Sequence, residues 1–172
     1  MRNDLGRGIM KRAISYSAMC WLFPTIAFAA PNGYFNLPPD VALETAGSWV
    51  VEGTRYRLFG IQPFTNGATF TNKAGEKKDG GIASRAVLAG YIKETAPVCA
   101  PVMKTADVTY VTCYVTISGS RFDLAMVLIV SGYAFAAVRR DGRPQYAPYA
   151  AAEAQARDNR TGLWQFVTKA GE

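Results

Sequence analysis

The segment from Tyr110 to Ala136, YVTCYVTISGSRFDLAMVLIVSGYAFA, leaves the chain few choices. The run from Val108 to Ile117 is rich in β-branched and aromatic residues and predicts a strand. Ser118, Gly119 and Ser120 predict a tight turn. Leu124, Val127, Leu128 and Ser131 then recur at helical spacing, with Asp123 placed to cap the segment and Gly132 to interrupt it. A strand, a turn and a buried helix in succession point to a mixed fold in which helix packs on sheet.

The N-terminus carries a different signal. Arg2, Arg7, Lys11 and Arg12 precede a mostly apolar run from Ala13 to Phe28, and Ala27-Phe28-Ala29 is a small-x-small cleavage pattern. This predicts a secretory signal peptide over 1–29, and with it a periplasmic or secreted bacterial protein. As a membrane anchor the run is short and broken by Pro24, so no membrane span is expected after cleavage. Cleavage removes four basic residues and Asp4, half of the formal charge of +6. What remains does not by itself argue for a nucleic-acid partner. Cys20 leaves with the leader, so Cys99 and Cys113 form an even pair in an exported chain and are expected to be joined as a disulfide. Two cysteines without any histidine make a poor zinc set.

Beyond the leader, 30–47 reads as an irregular lead-in, 48–167 as one domain and 168–172 as a tail. Ser48 to Glu52 and Arg55 to Ile61 read as strands around Gly53-Thr54, with Arg57 on the face opposite Tyr56. Gln62 to Gly80 is loop-like. A helix is expected from Ile82, with Ile82, Ala86, Ala89 and Ile92 or Tyr91 on one face, Asp79 as its cap, and Pro97 ending it. Val98 to Met103 is apolar-rich, and Tyr133 to Val138 is a short extended piece. Arg139, Arg140 and Arg143 form the sharpest basic cluster, either a solvated surface or an anion site. Ala147 to Arg160 is a strong helix former with Glu153 and Arg157 spaced i,i+4, and Thr161-Gly162 stops it. Leu163, Trp164 and Phe166 are expected to fold back onto the body. The fold class is α+β, mainly β: a five-stranded barrel with packed helices or a small α+β sandwich.

Three segments in this order resemble the staphylococcal-nuclease-like (thermonuclease) family. Arg55-Tyr56-Arg57-Leu58-Phe59-Gly60-Ile61 with Pro63 is similar to the strand and turn that open its active site. Asp123 through Ala134 is similar to its second helix and glycine exit. Tyr149, Glu153 to Arg157 and Gly162-Leu163-Trp164 are similar to its last helix and closing tryptophan. The resemblance implies an OB-fold barrel of five strands with three helices, and calcium-dependent hydrolysis of DNA and RNA phosphodiesters. Exported members also commonly carry a cysteine pair like Cys99 and Cys113.

Carried over residue by residue, the resemblance implies that Arg57 keeps the first phosphate-binding arginine. Gln62 stands where a metal-binding aspartate belongs. Thr65, or Phe64 with a shifted gap, stands at the catalytic glutamate, and Tyr110 at the second arginine. Ala46-Gly47-Ser48 supplies no acid where the first metal aspartate belongs, and Glu52 is out of place. The expectation is a pseudoenzyme: an exported domain that has lost catalysis and serves as a binding or assembly module for a protein or polyanion, nucleic acid included, without a cofactor. The alternative is a divergent calcium-dependent nuclease, with Glu76 or Asp79 reaching in from the loop and Arg139, Arg140 or Arg143 replacing the lost arginine. Arg57, Arg139, Arg140 and Arg143 are the candidate anion-binding residues. Phe59, Phe64, Phe70 and Tyr110 are the candidate groove aromatics.

Overall fold

The computed structural model describes residues 33–166. The expected leader at 1–29 and tail at 168–172 lie outside the described residues. Eleven strands appear in chain order: β1 Phe35–Asn36, β2 Ala42–Thr45, β3 Ser48–Val51, β4 Thr54–Leu58, β5 Ile61–Pro63, β6 Thr69–Thr71, β7 Lys77–Asp79, β8 Val98–Lys104, β9 Thr109–Ile117, β10 Ser120–Asp123 and β11 Ala134–Ala136. The helices are α1 Gly80–Thr95, α2 Leu124–Val130 and α3 Ala147–Asp158, with a short 3-10 helix at Gly162–Phe166.

Strand β9 is the axis of the main sheet. It pairs antiparallel with β8 and β10 and parallel with β4, giving the order β1-β8-β9-β4-β3-β2 with β10 also on β9. The sheet has seven strands and curls through about 201° into a half-barrel. The expected five-stranded barrel is met in part: the OB-like mixture of curled sheet and three helices is there, but the sheet does not close fully. Two shorter ribbons, β5 with β11 and β6 with β7, take up part of the stretch read as loop from Gln62 to Gly80. The lead-in is likewise more than irregular: β1 pairs with β8 and β2 with β3. Such short strands carry almost no periodicity of their own, and their partners, distant in sequence for β1, define them.

The core lies between the sheet and the helices. Trp49, Leu58, Val111, Val115, Leu124 and Leu128 are each buried to within 1% of full exclusion. Each large apolar side chain buried this way contributes roughly 1.5–3 kcal/mol against leaving it in water. Alternation along β9 sends Val111, Cys113 and Val115 inward and leaves Tyr110, Thr112 and Tyr114 half-buried on the other face. Cys99 and Cys113 are directly opposed across β8 and β9 and joined by a disulfide, as expected from their parity.

Asp79 caps α1, accepting from the Ile82 amide at 2.9 Å. The helix ends at Ala96, in the left-handed region just before Pro97. Its buried side differs from the expected one: Ser84, Leu88 and Ile92 face the core, and Ile82 is 55% exposed. Asp123 caps α2 through the Ala125 amide at 2.9 Å. The exit from α2 needs glycine twice. A Cβ on Gly132 would stand 2.1 Å from the Thr161 carbonyl oxygen, and one on Gly162 would stand 2.1 Å from that of Ser131. That close backbone crossing carries the 3-10 helix back onto the body, where Leu163 and Trp164 are buried.

Candidate functional site

Cross-strand pairing sets Ser48, Arg57 and Tyr110 side by side on β3, β4 and β9. They lie on the face opposite Trp49, Tyr56 and Thr109, because successive residues of a strand point to opposite sides. The chain then turns through Gly60 into β5, which brings Gln62 beside them. Thr65 is held at the same place by the start of α1. A Cβ on Gly81 would meet the Thr65 carbonyl oxygen at 2.7 Å, so only glycine lets the helix start touch that backbone. The result is a cleft of about 490 Å³ lined by Arg57, Gln62, Thr65 and Tyr110 among others. The structure thus gathers into one hollow four positions that are scattered along the sequence.

Sequence reasoning reached Ser48 only as part of the turn without an acid, and missed Thr45, Arg55 and Gln145 as lining residues. The Thr45 and Ser48 hydroxyls bond each other at 2.8 Å across the β2–β3 turn, and Thr45 also accepts from the Gly47 amide at 3.1 Å. Both face the cleft, as do Arg55 and Gln145. The signal for the pair was a Thr-x-x-Ser spacing around a tight turn, which is too common to single out. Arg55 is committed elsewhere. It grips both oxygens of Glu44 at 2.8–3.0 Å, and that hydrogen bonding holds the Glu44 carboxyl below its ordinary range. Arg57 has no ion pair or side-chain hydrogen bond among the described residues. It is the uncommitted cation of the cleft.

The remaining candidates fall in three places. Arg139, Arg140 and Arg143 are exposed on a hairpin closed by the Val138–Pro144 bridge and an Arg139 amide bond to the Arg143 carbonyl at 2.8 Å. That hairpin leaves from the cleft rim, where Ala137, Val138 and Gln145 stand, but its arginines do not line the cleft. Of the four aromatics only Tyr110 lines it. Phe64 packs internally against Phe135 and Trp164, with ring centroids 4.2 and 6.5 Å away, and Phe70 stacks on Phe166 at 4.7 Å. Phe59 is half-buried away from the cleft.

The loop acids are occupied too. Glu76 accepts from Asn72 at 2.9 Å and pairs with Lys78 at 3.1 Å. Asp79 accepts from the Ile82 and Gly67 amides, which hold its carboxyl below the usual range.

A calcium ion takes about six to eight oxygen ligands, with carboxylates supplying the charge. The cleft offers neutral oxygens only, and no carboxylate lines it. Among the described residues no group of three or more histidine, cysteine, aspartate or glutamate side chains is placed to hold a metal. The residues present therefore do not fit the cation that the fold would bring with it.

A half-barrel with three helices and a cleft at this corner defines an OB-like class of protein. The family model described as staphylococcal nuclease homologue matches residues 66–166, more than half of the chain, and the chain belongs to that family. No curated protein matches it. The matched span begins just after Thr65, so Arg57, Gln62 and Thr65 lie outside it and Tyr110 lies inside.

Proposed function

We propose that this chain is an exported member of the staphylococcal nuclease family that has lost metal-dependent hydrolysis and works as a binding or assembly module. One observation carries the reading: the cleft keeps an uncommitted arginine, Arg57, and has no carboxylate. Phosphodiester hydrolysis at such a cleft needs charged oxygens for the cation and a base or orienting group for the water. The Gln62 amide and the Thr65 hydroxyl supply neither. What the cleft retains is attraction for a negative group, backed by neutral hydroxyls and amides that hydrogen-bond in either direction. The basic leader supports export to the periplasm or beyond.

The alternative, a divergent calcium-dependent nuclease, would need Glu76 or Asp79 to give up the hydrogen bonds that hold them. The test is hydrolysis of single-stranded DNA and RNA by the purified chain, with calcium and with chelator. The expected outcome is no product in either condition. Metal-dependent cleavage that disappears in Arg57→Ala would overturn the reading.

A further inference from the structure

A second hollow, of about 500 Å³, lies beside the first and meets it at Gln62 and Val138, which line both. Its character is different. Phe135, Ala136, Val138, Ala150 and Ala154 give it an apolar wall between the β5–β11 ribbon and α3. Val138 is 60% exposed, the most open large apolar side chain among the described residues. The three alanines leave room for a side chain that the protein itself does not supply.

The charged groups at its far end are already satisfied. Glu153 is 8% exposed. One of its oxygens accepts from the outward amide of Ala136 at 2.7 Å, and the other from Arg157. Arg157 in turn lies over the Trp164 ring, 4.3 Å from its centroid. The carboxylate in this hollow is thus neutralised, whereas Arg57 in the adjoining cleft and Arg139, Arg140 and Arg143 beyond the rim have no ion pair among the described residues.

We propose that the two hollows form one groove that takes an extended acidic peptide segment of a partner protein, with an apolar side chain anchored against Ala150 and Ala154 and a carboxylate at Arg57. The proposal rests on the reading of the chain as a binding module and names its partner class. Charge complementarity sets the sign of the ligand. The apolar half selects peptide over nucleic acid. A phosphodiester strand laid along the groove would place charge against alanines, whereas a peptide can alternate apolar and acidic side chains. Small apolar pockets that accept one anchor side chain are where interface energy concentrates.

The test is selection of phage-displayed random dodecapeptides on the intact protein, followed by fluorescence anisotropy of the enriched peptides. Enrichment of sequences with acidic residues flanking an apolar one is expected. Their affinity should fall about tenfold or more, roughly 1.4 kcal/mol, in Ala154→Trp, which fills the groove from an exposed helix position. Arg57→Ala should weaken them as well and reduce their salt dependence. Thermal melting of each variant confirms folding. The proposal fails if no sequence enriches, if the enriched peptides lack acidic residues, if Ala154→Trp binds them unchanged, or if oligothymidylate displaces them at lower concentration than they displace each other. Such a failure leaves the loss of hydrolysis standing, because that is read from nucleic-acid cleavage alone.

Discussion

The Tyr149 hydroxyl donates to Asp123, the same carboxylate that caps α2, so one side chain of α3 fixes the start of another helix. Burial first, and then the Asp123 carboxylate, raises the Tyr149 phenol above its ordinary range, so at neutral pH it stays protonated and a donor. The contact also explains Gly60, with φ +78°, where an added Cβ would lie 2.8 Å from the Tyr149 ring. Removing the hydroxyl leaves a partly buried carboxylate short of a donor. Tyr149→Phe is therefore expected to cost about 2 kcal/mol in urea unfolding. A loss near zero would mean that water replaces the hydroxyl at no cost. Both Asp123 as a cap and Tyr149 as part of the last helix were legible in the sequence. Their mutual contact was not, because nothing local relates positions so far apart in the chain.

At the scale of elements, the long periodic segments were readable and the short ones were not. Strand β9, α2 and α3 declare themselves through β-branched runs, helical spacing and alanine content. The ribbon of β6 and β7 and the strands β1 and β2 exist because a partner is present, so their residues carry no pattern beyond polarity and turns. The disulfide joins elements that sequence did identify, since Cys99 and Cys113 sit opposite each other on β8 and β9, 14 positions apart in the chain. Closing such a loop is worth about 3 kcal/mol in the chain-entropy account. Reduction should lower the denaturation midpoint accordingly, and thiol titration of denatured residues 30–172 should find free cysteines only after reduction. Two thiols before reduction would contradict the bridge. Glu153 does a different task at this scale. By taking the outward amide of Ala136 it blunts the open edge of β11, an edge that would otherwise invite another strand.

At the scale of the molecule, the half-barrel brings β3, β4, β5 and β9 to one corner and leaves a cleft there whose chemistry is set by what is missing from it. If that corner held calcium, saturation at a hundredfold excess over the dissociation constant would add about 2.7 kcal/mol to stability. The expected result is that millimolar calcium leaves the melting temperature of the protein unchanged. A clear upward shift that chelator reverses would require a carboxylate set other than the one seen here. The candidate site was legible in part. Arg57, Gln62, Thr65 and Tyr110 were named from the resemblance and do share a cleft, whereas Phe64 and Phe70 belong to internal aromatic packing with Trp164 and Phe166. Aromatic residues near a site look alike in sequence whether they face a ligand or a neighbouring ring.

The sequence by itself determined the helices with their Asp79 and Asp123 caps, the central strand, the cysteine pair and the scarcity of acids around Arg57. The first three are local patterns or a matter of composition, and the last is what the family resemblance implied. Only the tertiary structure decided that β4 runs parallel to β9, that the sheet stops at a half-barrel, that Thr45 and Ser48 join the cleft, and that an apolar groove opens beside it along α3. Those features depend on register between strands far apart in the chain, which follows from how the whole core packs and not from any one segment's own preferences.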